Sequence, residues 1–237
     1  MQHNLLLSIL VFFLAYSGCN DEKVSPPKQS YFQSILTDST LNEWSGKSGY
    51  WTFEDGVLTG EITPNNILLE NTFFIWNGEI SENFELKAEF RISGKGNSGI
   101  NYRSSLVEGK DFALKGYQAD FNGSHEFTGN IYDEKGRGTL AKRGQIVYVP
   151  STNSATNIVR TGTGEALFSK IDTTKNGWNE YHIIANGNTV IHLVNGHIMS
   201  TLIDESDSRI IGKKLGLQLH LGPPMKVEFR NIQLKKL

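Results

Sequence analysis

Cysteine is almost missing from this chain: Cys19 is the only one among 237 residues. No intramolecular disulfide can form, so burial alone has to hold the fold. An excess of either charge is missing too. With 23 Lys and Arg against 25 Asp and Glu, the formal net charge is −2, which excludes the basic stripe that neutralises nucleic-acid phosphates. No apolar run reaches the ~20 residues of a membrane-spanning helix. Long stretches with a 3.6-residue apolar stripe are also absent, and Ser30 to Leu36 leaves room for at most one short helix. Proline is scarce at six, whereas glycine stands at 24 and aromatics at 11%, a mixture that favours strands and turns. Apolar residues at 38% and charged residues at 20% describe a globular chain, neither disordered nor multi-span.

Several catalytic signatures are absent as well. The sequence contains no GxxxxGK[ST] phosphate loop, no HExxH helix, no GxSxG elbow and no His/Cys set at zinc spacing. A retaining glucanase would need two carboxylates close together on one strand. The nearest string, Gln118-Ala119-Asp120-Phe121-Asn122-Gly123, puts an amide where the nucleophile would stand.

The amino terminus reads as an address. Leu5 to Tyr16 is an apolar run of twelve, the length of a signal-peptide core. Ser17 and Gly18 then precede Cys19, and this small-small-Cys order resembles a bacterial lipobox, although MQHN lacks a basic residue and Tyr16 replaces the usual Leu. The resemblance implies cleavage after residue 18 and lipidation of Cys19. Residues 19–30, with Asp21-Glu22 and Pro26-Pro27, read as a flexible tether. A folded domain is expected over 31–237. The expected location is the periplasmic or outer-membrane surface of a Gram-negative envelope, held there by the lipid.

Period-two alternation dominates the rest. In NFELKAEFRI, residues Phe84, Leu86, Ala88, Phe90 and Ile92 share one face. The same pattern recurs in SGINYRS, GYQADF, GNIYDE, EYHIIANG, VIHLVNG, KLGLQLHL and MKVEFRNIQL, separated by Gly- and Asn-rich breaks. Many short strands predict an all-β, antiparallel sandwich or barrel, and the length favours a sandwich. Ala185 to Asn188 predicts a tight type I′ hairpin. The apolar face places Ile100, Tyr102, Tyr117, Ala119, Phe121, Ile131, Leu215, Leu217, Leu219 and Leu221 inward. Asn101, Arg103, Gln118, Asp120, Asn130, Tyr132, Glu134, Gln218 and His220 are left on the opposite face. That set can bind hydroxyls and move protons, although Arg103 with Asp120 or Glu134 could equally be a cross-strand ion pair. His192 and His197 read as ordinary surface residues, and Asp133 as pointing into the other layer or a turn.

The strings DGVLTG, ENTFFIW, GNSGINYR, GYQAD, GNIYDEKGRG, GWNEYHIIANGN, VNG and LQLHLGPPMKVEFRNIQLKKL, taken in order from Tyr31 to Leu237, resemble the DUF1080 family of 3-keto-glycoside lyase/hydratase (3-keto-disaccharide hydrolase) domains. The resemblance implies a concanavalin A-like jelly-roll sandwich acting on sugars oxidised at carbon 3, supplied by a separate sugar 3-oxidoreductase. Such a ketone acidifies the carbon-2 proton, so elimination of the carbon-1 group followed by hydration amounts to hydrolysis. The chemistry needs a base, an enolate donor and an acid. His220 is the expected base, because imidazole ordinarily titrates near neutrality. Arg103, with Gln118, would stabilise the enolate, and Asp120 or Glu134 would orient the histidine or donate the proton. Tyr132, Asn97, Asn101 and Gln218 would bind hydroxyls, and Trp76 would stack on a ring. No cofactor is required, although a divalent cation on Asp120 and Glu134 could replace Arg103. The alternative reading is a non-catalytic carbohydrate-binding lipoprotein.

Overall fold

Where small or β-branched residues alternate with charged ones, the chain extends, and the turn residues between set where it reverses. In the computed structural model, which describes residues 30–152, 156–160 and 162–237, nearly all regular structure is strand. The first half contains β1 (Gln33–Ser34), β2 (Trp44–Ser45), β3 (Trp51–Glu54), β4 (Val57–Ile62), β5 (Thr72–Trp76), β6 (Phe84–Ile92), β7 (Asn97–Leu106) and β8 (Leu114–Asn122). Then come β9 (Asn130–Glu134), β10 (Gly138–Ala141), β11 (Gln145–Val149), β12 (Asn157–Arg160) and the helix α1 (Gly164–Phe168). The last strands are β13 (Asn179–Asn186), β14 (Thr189–Val194), β15 (His197–Asp204), β16 (Lys214–Leu219) and β17 (Met225–Lys236). Cys19 and the signal segment fall outside the described residues. Among the described residues no helix is long and apolar enough to cross a membrane.

Two sheets form the sandwich. One runs β12-β11-β15-β14-β13-β6-β17-β4-β3, with β1 also on β17; the other runs β10-β9-β8-β7-β16-β5-β2. Their inner faces share one apolar core, in which Phe90 lies 4.0 Å from Phe121 and 5.3 Å from Tyr181, ring centre to ring centre. Burying each large side chain of this kind contributes roughly 1.5–3 kcal/mol.

Ser30 to Leu36, with room for at most one short helix, contains none: Gln33 and Ser34 pair with Leu234 and Gln233, because the long last strand offers an open edge. Three local expectations change. One pair, β11 with β15, is parallel. Leu221 does not join the other leucines, since β16 ends at Leu219 and Leu221 is exposed. The hairpin after β13 turns on Gly187 and Asn188, of which only Gly187 has positive φ. Type I′ geometry, with both central residues at positive φ, occurs one hairpin later at Asn195 (49°) and Gly196 (77°).

The core also carries polar side chains. His192 is fully buried rather than on the surface. Its Nδ1 donates to the Asn130 carbonyl at 3.1 Å, so Nε2 accepts from the Tyr102 hydroxyl at 2.8 Å. Burial pushes its pKa down to about 3, and the ring stays neutral. The Tyr181 hydroxyl donates to the Asp120 carbonyl at 2.8 Å and accepts from the Gly129 N–H at 2.6 Å. These bonds pin the backbone on either side of the β8–β9 turn from beneath.

Candidate functional site

The face of the seven-stranded sheet that turns away from the core is built in rows. Ile75, Gly216, Asn101, Gln118 and Tyr132 stand opposite one another on β5, β16, β7, β8 and β9. In the neighbouring row Phe73 faces Gln218, while Asp120 stands between Gly99 and Asn130. Gln118, Asp120, Tyr132, Asn101 and Gln218 therefore share one surface, as the alternation predicts.

That surface is roofed. β8 lies three strand spacings from β5, roughly 14 Å, yet Leu114 clusters with Phe73 and Ile75, and the Phe73 N–H donates to the Phe112 carbonyl at 3.0 Å. The β7–β8 turn must curl back over the sheet to make these contacts. A register slip between Tyr102 and Ser105, with Arg103 at φ 46° and Gly116 at φ 144°, supplies the bend. Glu134 pairs with Gly116 and moves with it, accepting from Asn71 Nδ2 at 3.3 Å.

The roof explains an unusual burial pattern. Asn101 and Gln218 are 0% exposed, Gln118 3% and Asp120 9%, values that belong to a core rather than to the outer side of a sheet. Among the described residues, both polar atoms of Asn101 and of Gln218, Oε1 of Gln118 and Oδ1 of Asn97 have no hydrogen-bond partner. A buried amide left unpaired costs about 1–3 kcal/mol, so such a cluster offers hydrogen-bonding groups that water or a polar ligand can satisfy.

Asp120 is the titratable group at the centre. Burial, with the Glu134 charge adding to it, pushes its carboxyl up to about 7, against hydrogen bonds from Gln118 Nε2 (3.2 Å to Oδ1) and the Phe121 N–H. A carboxyl poised there can accept and return protons at neutral pH. Gly99 is necessary to this pairing, because a methyl group on it would lie 2.4 Å from Gln118 Cγ. Tyr132 is half-buried, and burial together with the Glu134, Asp120 and Asp133 charges raises its pKa, which keeps the phenol protonated.

His220 follows the end of β16, half-buried at the rim. Its Nδ1 donates to the Leu221 carbonyl at 2.6 Å, leaving the lone pair of the neutral ring on Nε2. The Leu221 N–H donates to Asn71 Oδ1 at 3.0 Å, so Asn71 ties this rim to Glu134. Among the described residues no three His, Cys, Asp or Glu side chains gather closely enough to hold a metal ion.

Two expected site residues are not brought here. Arg103 sits in the bulge, and Nε and Nη2 donate to the Glu82 carbonyl at 3.2 and 2.7 Å. It makes no ion pair with Asp120 or Glu134. Trp76 points to the core side of β5, like Phe74, and its Nε1 donates to Glu43 at 3.4 Å. Asn71 and the core supports Tyr181 and His192 escaped the sequence reading. Asn71 lies before a strand with no periodicity to orient it, and in Val190-Ile191-His192-Leu193-Val194 both parities are apolar, so alternation does not tell which side His192 takes.

The sandwich has the concanavalin A-like fold expected. A candidate glycosyl hydrolase from Parabacteroides distasonis superposes with a TM-score of 0.56 at 15% identity, over 87% of this chain and 100% of its own. A Bacillus subtilis protein of galectin-like fold and unknown function gives 0.55 at 12%, over 87% and 94%. The carbohydrate recognition domain of Emp46p gives 0.50 at 10%, over 84% and 91%. No curated protein matches the chain. Residues 31–235 match the 3-keto-alpha-glucoside-1,2-lyase-like domain; the chain belongs to that family of carbohydrate-active domains.

Proposed function

We propose that this chain cleaves 3-keto-glycosides by elimination across carbons 1 and 2, followed by hydration. One observation carries the reading: a carboxyl titrating near 7 lies beside a floor of unpartnered amides. Asp120, rather than the half-buried His220 at the rim, takes the carbon-2 proton. The electron pair of that C–H bond moves into an enolate at the carbon-3 oxygen, which Gln118 and the amides of Asn101 and Gln218 receive as donors. Those two amides are shut from solvent, so Gln118 has to turn off Gly99 to admit the ketone. The enolate then re-forms the ketone as carbons 1 and 2 become doubly bonded, and the carbon-1 oxygen departs with the Tyr132 proton. Asn97 binds a ring hydroxyl. In the second step the Tyr132 phenolate takes a proton from the water that adds to carbon 1. Asp120, its own proton exchanged with solvent once the aglycone has left, protonates carbon 2, so both groups end in their starting states. The net result is hydrolysis, and these steps use only the side chains named.

The reading also takes Cys19 as a lipid anchor holding the domain at the bacterial envelope, and a separate sugar 3-oxidoreductase as the source of substrate. Incubating the protein with a 3-keto-glucoside and with the unoxidised glucoside tests the activity. Aglycone should leave only the oxidised sugar. Binding to both without release from either would favour the carbohydrate-binding alternative.

A further inference from the structure

The polar face does not stop at Asp120. Its cross-strand partner Asn130, and Thr139 opposite Tyr132, open into a pocket of about 340 Å³ lined also by Phe127, Lys142 and Arg143, within the size range of small-ligand sites. Phe127 presents an exposed ring there. Asn130 Oδ1 is taken by the Arg143 N–H at 2.8 Å, so the edge of the pocket nearest Asp120 is held rigid.

Among the described residues the Arg143 guanidinium hydrogen-bonds only to carbonyls, those of Gly164 (3.1 Å), His125 (2.9 Å) and Thr128 (2.6 Å). Its face packs on Phe168 at 5.3 Å. With Lys142 beside it and Glu126 the one carboxylate among the described residues lining the pocket, the local charge there is net positive. A cationic guest is disfavoured.

We infer that this pocket is the leaving-group subsite, and that it takes an uncharged or anionic aglycone bearing a flat ring, stacked on Phe127. The assignment rests on the lyase reading above. It follows from the order of the strands: the amide floor on β16 and β7 would receive carbon 3, Asp120 on β8 carbon 2, and Tyr132 on β9 the carbon-1 oxygen. Whatever hangs from that oxygen then lies over β9 and β10, where the pocket is. A second pocket flanks the opposite side, lined by Asn71, Lys110 and Phe112; there the guest would adjoin the ketone rather than the departing oxygen.

The test is the ratio of kcat/KM for phenyl over methyl 3-keto-glucoside. In Phe127→Ala the ratio should fall about five- to tenfold, the scale of one aromatic contact. Thr139→Trp, which fills the pocket from an exposed strand position, should lower it further. Lys110→Ala, in the opposite pocket, should leave it at the wild-type value. Turnover of both substrates with an unchanged ratio in Phe127→Ala and Thr139→Trp overturns the subsite alone, as does a fall confined to Lys110→Ala. If the wild type turns over neither substrate, the lyase reading fails and the subsite fails with it.

Discussion

Replacing Asp120 with asparagine is expected to lower turnover of a 3-keto-glucoside by about 10²- to 10⁴-fold, the usual scale for losing a general base, while making the folded protein more stable at pH 8. The two effects have one cause. The carboxyl titrates near 3.8 when ordinarily solvated and at about 7 in the fold. Between those values the folded chain holds a proton that the unfolded chain has released, so stability falls as pH rises from about 4 to 7 and then levels off. At about 1.36 kcal/mol per unit, the ionised carboxyl costs the fold on the order of 4 kcal/mol. Asparagine keeps the shape and removes the charge. Thermal melts of the two proteins should coincide near pH 4 and separate progressively up to pH 7, with the variant higher. A variant that loses activity and is also less stable at pH 8 would mean that Asp120 holds the structure rather than serving as a strained catalytic group.

The second large effect lies behind the site, where Arg137 bridges two buried carboxylates. Its Nη2 donates to Asp204 at 2.7 Å and its Nε to Asp133 at 3.0 Å, and both acids are almost fully buried. The Tyr117 hydroxyl and Ser206 also donate to Asp204. Burial alone would raise the Asp204 pKa; the hydrogen bonds from Arg137, Ser206 and Tyr117 outweigh it and hold the group below its ordinary value. Truncation by Arg137→Ala strands both charges, at a cost of about 3 kcal/mol near neutrality. Because the folded pKa of Asp204 is depressed, its contribution is present above the ordinary carboxylate range and is lost as pH falls through the folded value. The gap between wild type and variant should therefore be widest at pH 7 and narrow toward pH 3 in urea titrations. A gap independent of pH would mean that Arg137 acts through packing alone.

Much of this was legible in the sequence because period two is unambiguous. Alternation in Tyr117-Gln118-Ala119-Asp120-Phe121 decides which side each residue takes, and the same holds on β9 and β16 up to Leu219. The reading failed where the backbone breaks period. Arg103 follows Asn101 by two residues, but the bulge gives it positive φ and turns it toward the Glu82 carbonyl. At Trp76 the residue type suggests a sugar-stacking ring, but parity puts it with Phe74 on the core side. Leu221 lies past the end of its strand, where parity no longer applies. The roof could not have been foreseen either. Asn71 reaches Glu134 across 63 residues of chain, a contact made by the curl of a hairpin. Burial is what makes Asp120 rather than His220 the proposed base: a solvated aspartate is a poor base at neutral pH, and the roof raises it.

The most direct test of the central claim is the isotopic composition of the product formed in D₂O within the first turnovers. Removal of the carbon-2 proton by Asp120, exchange of that proton with solvent after the aglycone leaves, and then hydration predict 3-keto-glucose carrying one solvent deuterium at carbon 2, beyond what the free product acquires without the protein. Aglycone release that leaves the original hydrogen on carbon 2, and that is no slower for a substrate deuterated there, would show that the glycosidic bond breaks directly, with no enolate for the amide floor to hold.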